Sequence, residues 1–313
     1  MKPQTLTKHL KGSYNPVREF LKLRFPRTAS LTQKANLQLQ SAGTINPGFN
    51  PNIYDLLGTA IGYRIRYSFA ITPRDRLPAW KNIIFLTSIW NLYPNPRGLH
   101  SSGVIEDFFD RLDATVEAIA PVRQRLKDEP EKLLARYCYV LALFEQLHRS
   151  PADFKYSRLL MPRPKQSVDE LLAIPTDAEI DDLCAMSWLF YDRYHDRLSL
   201  RSVLNPTFER HGAVSVSDAD LIVDGCLMEI IASIKPEIKS PSLWQLAGYL
   251  LLDDNDKYKI RSLGIYMARQ GKLLQWPIAD FLCLLTGNDT ASLAQLRQEF
   301  CTLCRSVRLG RGA

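Results

Sequence analysis

The chain has 313 residues, of which 46% are hydrophobic and 23% charged, proportions typical of a folded globular protein. No apolar run approaches the roughly 18 residues that a membrane-spanning helix needs. The N-terminus has no apolar segment that would mark it for export, and six scattered cysteines do not suggest a disulfide-rich module. We therefore expect a cytoplasmic protein without a membrane partner.

The net charge of +7 is concentrated at the N-terminus. Residues 1–34 contain one acid, Glu19, and eight bases: Lys2, Lys8, Lys11, Arg18, Lys22, Arg24, Arg27 and Lys34. Three arginines, Arg305, Arg308 and Arg311, follow in the C-terminal tail. Basic ends suit an acidic partner such as a nucleic-acid backbone, but termini that are basic only for solubility explain the charge equally well.

Residues 1–52 are rich in Pro, Asn, Gly and Thr, which predicts a basic N-terminal arm with one short helix near residues 17–23. Residues 53–70 are predicted to run from a helix into a strand. Apolar residues there first recur at helical spacing, and β-forming residues then alternate with Arg64 and Arg66. An aromatic-rich helix is predicted over residues 79–93.

A helical block is predicted next. Its helices are expected over residues 102–119, 131–148 and 176–197, with a proline-containing basic loop over 150–167. Thr176 and Glu179 have the spacing of a capping box at the start of the third helix.

The pattern changes to strands after residue 198. Alternation predicts short strands over 198–203 and 213–216, and residues 219–233 read as two strands joined at Asp224-Gly225, a strong hairpin signal. The elements predicted after this hairpin are a helix over 242–252, strands over 260–268 and 272–276, and helices over 278–285 and 290–306.

Two acids on this hairpin are candidates for chemistry. Asp220 precedes the first strand and Glu229 lies on the second, and adjacent strands are about 5 Å apart. Two carboxylates and a strand carbonyl make an oxygen-rich site of the kind Mg²⁺ prefers. Acids that simply face solvent are the competing interpretation. On the next helix, Gln245 and Tyr249 are four residues apart and share a face.

This order of motifs resembles the PD-(D/E)XK nucleases, and the Gln-x-x-x-Tyr spacing resembles their RecB-like branch. The resemblance covers about residues 53–70 and 198–276. It implies an α/β fold with a restriction-endonuclease-like core, a mixed central sheet flanked by helices, enlarged by a helical insertion. The implied boundaries are the arm at 1–52, a nuclease domain at 53–290 with its insertion at about 100–197, and a C-terminal helix and basic tail at 291–313.

The resemblance also implies a function, which is metal-dependent hydrolysis of DNA phosphodiesters. Asp220 and Glu229 would bind Mg²⁺ or Mn²⁺, and Gln245 and Tyr249 would position the site. DNA is the expected partner, together with protein partners of a bacterial defence, repair or DNA-processing system.

The sequence departs from the family at the lysine of Asp/Glu-x-Lys, where Ile231 stands. Lys235 could supply the lysine if the strand continues, and Lys239 is a second substitute. Alternatively, the metal and carboxylates alone give weak cleavage. Two further possibilities are a catalytically inactive nuclease-fold subunit that binds DNA or acts as a scaffold, and a protein–protein adaptor with incidental carboxylates.

A metal centre on cysteines is not expected. Cys301-x-x-Cys304 lies where some RecB-like nucleases hold an iron–sulfur cluster, but that pattern needs four cysteines and none follows Cys304. The five histidines show no metal-binding spacing.

Overall fold

A computed structural model describes residues 4–11, 15–48, 53–80, 87–88, 103–119, 125–149, 157–161, 165 and 167–309. The chain forms two compact units. The first, here called the sheet unit, comprises residues 1–43, 200–231 and 235–313. The second, the helical unit, comprises residues 44–199 and 232–234. The protein is therefore a mixed α/β chain with a largely helical N-terminal region.

The sheet unit is built on a five-stranded mixed sheet of order β1-β4-β5-β6-β7. Pairing is antiparallel throughout except between β5 and β6, which are parallel. The seven strands are β1 Ser202–Leu204, β2 Thr207–Phe208, β3 Ser217–Asp218, β4 Leu221–Val223, β5 Cys226–Ile231, β6 Ser262–Met267 and β7 Lys272–Pro277. Strands β2 and β3 form a separate antiparallel pair.

Helices from the described parts of the N- and C-terminal segments accompany this sheet. They are α1 Leu6–Lys11, α2 Pro16–Arg24, α3 Thr28–Gln40, α9 Ser240–Leu252, α10 Ile278–Thr286 and α11 Leu293–Leu309. Helix α9 makes the crossover that a parallel β5–β6 pair requires. The predictions of the helix over 242–252, the later strands and the two closing helices are confirmed.

The hairpin between β4 and β5 is confirmed at the predicted turn. Val223 pairs with Cys226, and the two residues between them have positive φ, 47° at Asp224 and 75° at Gly225. A two-residue turn of this kind matches the twist of the strands it joins. The neighbouring strand predictions are less accurate: β1 begins at Ser202, and residues 213–216 form only bridges at Val214 before β3.

The N-terminal segment is not an arm. The short helix predicted near 17–23 is α2, but α1 and α3 flank it, and all three pack into the core of the sheet unit. Leu6, Val17, Leu21 and Leu39 are fully buried there. The prediction failed because it followed composition, whereas the apolar residues recur every four positions and provide each short helix with one buried face.

The helices described in the helical unit are α4 Tyr54–Phe69, α5 Gly103–Ile119, α6 Asp128–Arg149, α7 Val168–Leu172 and α8 Asp177–Tyr194. The predicted helices of the block are confirmed, as is the capping box, in which Thr176 and Glu179 each bond the other's backbone N–H. Most of the segment predicted as a helix over 79–93, and most of the loop predicted over 150–167, lie outside the described residues.

The strand predicted in the second half of residues 53–70 is wrong, because α4 is one continuous helix. Arg64 and Arg66, which suggested a solvent-facing alternation, are both buried. The Arg64 guanidinium pairs in a bidentate manner with the Glu131 carboxylate on α6, with both N···O distances at 2.6 Å. A local sequence pattern cannot show that an arginine is buried when its charge is balanced by a glutamate far away in the chain.

No described helix is long and apolar enough to cross a membrane.

Candidate functional site

The two candidate acids lie opposite each other at the open end of the β4–β5 hairpin. Leu221 pairs with Met228, so the next residues outward are Asp220 and Glu229. Directly opposed residues of an antiparallel pair point to the same face with Cβ atoms about 5 Å apart. Asp220 is oriented by the backbone N–H of Ile230, which donates to its Oδ2 at 2.8 Å. Both acids are half-buried.

Helix α9 brings the Gln-x-x-x-Tyr pair onto these acids. The side-chain amide of Gln245 donates from Nε2 to Glu229 Oε2 at 2.8 Å and lies 3.2 Å from Tyr249 Oη. The Tyr249 hydroxyl donates to the backbone carbonyl of Asp218 at 2.8 Å. One hydrogen-bonded chain therefore runs from Glu229 through the helix to the segment just before Asp220.

Tyr249 is held rigidly in this chain. Its side chain is buried, and its ring stacks on Phe208 at 5.1 Å between centroids. Burial, together with the nearby carboxylates of Glu229 and Asp220, raises the pKa of the Tyr249 phenol well above its ordinary value, while hydrogen bonds to Gln245 and Thr7 act in the opposite direction. The phenol is therefore protonated at neutral pH and acts as a donor.

The donor chemistry of the acids suits a hard cation. Asp220 and Glu229 each direct one carboxylate oxygen to a protein N–H, and each carboxylate has a second oxygen with its own lone pairs. Carboxylate oxygens converging from adjacent strands are ligands that Mg²⁺ and Mn²⁺ accept.

The position of the family lysine carries no polar group. Ile231 is the last residue of β5, on the same strand face as Glu229, and its half-buried side chain packs against the apolar core. The condition under which Lys235 would share the strand face is not met, since β5 ends at Ile231 and Lys235 lies exposed in a bend. Lys239 is the N-cap residue of α9 and is also exposed.

The basic residues of the N-terminal segment lie on the folded helices of the sheet unit. Lys8, Lys11, Lys22, Arg27 and Lys34 are exposed there. Lys2, Arg311 and the side chain of Arg308 lie outside the described residues.

Arg18, on α2, contacts the helix that carries Gln245. Its guanidinium is 5.8 Å from the ring centroid of Trp244, the residue before Gln245. One basic residue of the N-terminal segment is thus adjacent to α9, the helix whose Gln245 donates a hydrogen bond to Glu229.

A second group of potential ligands was missed at the level of sequence. His211, Asp254 and Cys301 place one ligand atom each within 4.8 Å of the others. They are separated by more than forty residues along the chain, so no local spacing could have revealed them.

No protein-family model matches the chain, and no significant match exists among curated proteins or solved structures. Its function is therefore inferred from its own residues.

Proposed function

We propose that the protein is a metal-dependent DNA nuclease of the PD-(D/E)XK superfamily, RecB-like branch, with a restriction-endonuclease-like core in the sheet unit. The observation that carries this proposal is the hydrogen bond from the Gln245 amide to the Glu229 carboxylate, with Asp220 opposite on the neighbouring strand. The family motif specifies only the order of these residues along the chain. In this chain the Gln245 and Glu229 side chains are in direct hydrogen-bond contact.

Asp220 and Glu229 would hold the Mg²⁺ or Mn²⁺ ion. Such an ion, when bound, lowers the pKa of a bound water and neutralises charge that develops on the phosphodiester. The protein's own contribution is to orient these ligands. Gln245 donates to the Glu229 carboxylate, and the Ile230 N–H donates to Asp220. The Tyr249 hydroxyl donates to the backbone carbonyl of Asp218 and so restrains the segment before Asp220. Orienting ligands through neighbouring hydrogen bonds commonly accounts for 10–100-fold in metal affinity or activity.

DNA would be held by the exposed lysines and arginines of α1–α3. Phosphate contacts of this kind release counterions, so binding is expected to weaken steeply with salt. A role in a bacterial defence or DNA-processing system, with further protein partners, is part of the proposal at the level of analogy between folds.

Ile231 favours a second candidate function, an inactive nuclease-fold subunit that binds DNA or acts as a scaffold. An isoleucine side chain has no polar group with which to orient a water or offset the charge of an attacking hydroxide. In the active version, Lys235 is the proposed substitute, approaching from the bend after β5 rather than along the strand.

The test is cleavage of labelled single- and double-stranded DNA with Mg²⁺ or Mn²⁺ by wild type, Asp220→Asn and Asp224→Asn. Asp224 is the matched control, because it lies on the same hairpin but at its exposed turn, paired with Arg261. We expect metal-dependent cleavage by wild type and by Asp224→Asn, with a loss of at least about 100-fold in Asp220→Asn. Equal rates in all three proteins would refute the assignment.

DNA binding separates the two candidates if no protein cleaves. Salt-sensitive binding without cleavage would support the inactive subunit. Elution of the protein from DNA already at low salt would contradict both candidate functions.

A further inference from the structure

The side chains of His211, Asp254 and Cys301 converge just beyond the C-terminal end of α9. Asp254 is the common neighbour: its Oδ1 is 3.8 Å from His211 Nε2, and its Oδ2 is 3.9 Å from Cys301 Sγ. Cys301 is buried, His211 is nearly so, and Asp254 is exposed, so the group opens to solvent on the aspartate side.

His211 is held by a tight turn that is docked on α11. His211 and Val214 pair through both backbone hydrogen bonds, and the N–H of Ala213 donates to the Cys304 carbonyl at 2.8 Å. Gly212 has φ 54°, and a Cβ there would lie 2.1 Å from the same carbonyl oxygen. The turn therefore needs glycine, and its close approach fixes His211 next to the helical turn that carries Cys301.

The loop that carries Asp254 is held against the same helix by Arg297, which lies one turn before Cys301 and contacts residues on either side of Asp254. Arg297 Nε donates to the Leu250 carbonyl at 3.2 Å, and its Nη2 lies 3.9 Å from Asp253 and 3.6 Å from Asp256. These contacts position the loop after α9 independently of Asp254 itself. All three side chains are thus placed by backbone and arginine contacts that exist without any ligand.

We propose that His211, Asp254 and Cys301 bind a zinc ion, with water at the fourth position. Zn²⁺ takes imidazole, carboxylate and thiolate ligands in a tetrahedral arrangement. Its usual bond lengths put neighbouring ligand atoms about 3.3–3.6 Å apart. The ligand atoms here lie within 4.8 Å of one another, so side-chain movements of up to about 1 Å would bring them to bonding distance of one ion. A nitrogen–oxygen–sulfur set also selects against Mg²⁺, which suits the oxygen pair Asp220 and Glu229.

The ion would tie together three segments that are remote in sequence: the 211–214 turn, the loop after α9, and α11. Because the complete ligand set exists only in the folded chain, binding would stabilise the folded state by mass action. This proposal stands independently of the nuclease assignment, since it uses none of the proposed nuclease residues.

The test uses the full chain, stripped with a chelator under reducing conditions and titrated with Zn²⁺ and with Co²⁺ as a spectroscopic probe. We expect about one tightly bound Zn²⁺ per chain, and a thiolate-to-cobalt charge-transfer band with the visible bands of a tetrahedral ion. Co²⁺ bound at Asp220 and Glu229 would lack the thiolate band, which keeps the two sites distinguishable.

Variants locate the site. Cys301→Ser should abolish the thiolate band, and Asp254→Asn should weaken affinity by at least about tenfold and remove the rise in melting temperature that Zn²⁺ produces. Asp254 is exposed and the change is nearly isosteric, so a loss there does not reflect unfolding. Cys283→Ser, at a half-buried cysteine on α10, is the control and should bind as wild type does.

Two results would overturn the proposal. One is wild-type protein that binds no Zn²⁺, or binds Co²⁺ without a thiolate band. The other is unchanged affinity in both Cys301→Ser and Asp254→Asn.

Discussion

Replacing Tyr249 with phenylalanine tests whether one hydroxyl supports the candidate site. The change retains the ring that stacks on Phe208 and removes only the oxygen, which donates to the Asp218 carbonyl at 2.8 Å and lies 3.2 Å from Gln245 Nε2. No cavity is created beyond one oxygen atom. The effect should therefore come from hydrogen bonding alone.

The expected cost follows from what each partner loses. The Asp218 carbonyl would lose a buried donor, and a buried group left without its partner costs about 1–3 kcal/mol. Gln245 loses less, because its amide still donates to Glu229. We expect a destabilisation of about 2 kcal/mol in the sheet unit, and about a tenfold loss of cleavage as the backbone before Asp220 loosens.

Hydrogen exchange of the α9 amides is the suitable assay, because it reports opening of the sheet unit separately from the helical unit. Tyr258→Phe is the matched control. That hydroxyl also bonds backbone, donating to the Thr207 carbonyl at 2.7 Å and accepting from the Thr207 N–H at 2.9 Å. Its ring also contacts Phe208, but the residue is only half-buried. Water can replace it there, so we expect a cost below about 1 kcal/mol.

The reasoning would be refuted if Tyr249→Phe changed the opening free energy of α9 by less than about 0.5 kcal/mol, or by no more than Tyr258→Phe does.

Three further changes test other parts of the structure. Leu6→Ala, at a fully buried position, should lower the free energy of unfolding in urea by about 3 kcal/mol. Leu37→Ala, 60% exposed on α3, should lower it by less than about 0.5 kcal/mol. Equal effects would support the interpretation of this segment as an arm. The free energy of unfolding should fall as pH rises above about 10, because Tyr249 keeps its phenol proton in the folded chain and loses it in the unfolded chain. Tyr249→Phe should reduce this fall. A pH profile identical to that of wild type would contradict the raised pKa of Tyr249. Ile231→Lys should raise the cleavage rate at least about tenfold if the missing lysine limits catalysis, and an unchanged rate with intact DNA binding would argue against that.

Local signals predicted the parts of the fold that local physics determines. Asp224-Gly225 identified the hairpin because only a few residue types accept positive φ at both turn positions. Thr176 and Glu179 identified a helix start because they satisfy its terminal N–H groups directly. Strand alternation and the helical repeat predicted the local pairs, Asp220 opposite Glu229 and Gln245 on one face with Tyr249. The contact between Gln245 and Glu229 is tertiary and was suggested only by the family resemblance.

Distant partners account for what the sequence did not reveal. The local pattern around Arg64 suggested a solvent-facing strand residue, because its buried partner, Glu131, lies 67 residues away in the chain. The N-terminal helices are too short to be evident alone and are stabilised by the core of the sheet unit. Cys301 was considered only together with Cys304, because its spatial neighbours Asp254 and His211 come from other segments of the chain.

The most direct test of the nuclease assignment is the rate of Mn²⁺-dependent DNA cleavage by Glu229→Gln relative to wild type. The substitution keeps the shape of the side chain that Gln245 contacts but removes the charge that would hold the metal. We predict a loss of at least about 100-fold, with DNA binding retained. Cleavage at the wild-type rate would show that Glu229 holds no catalytic metal and would contradict the account.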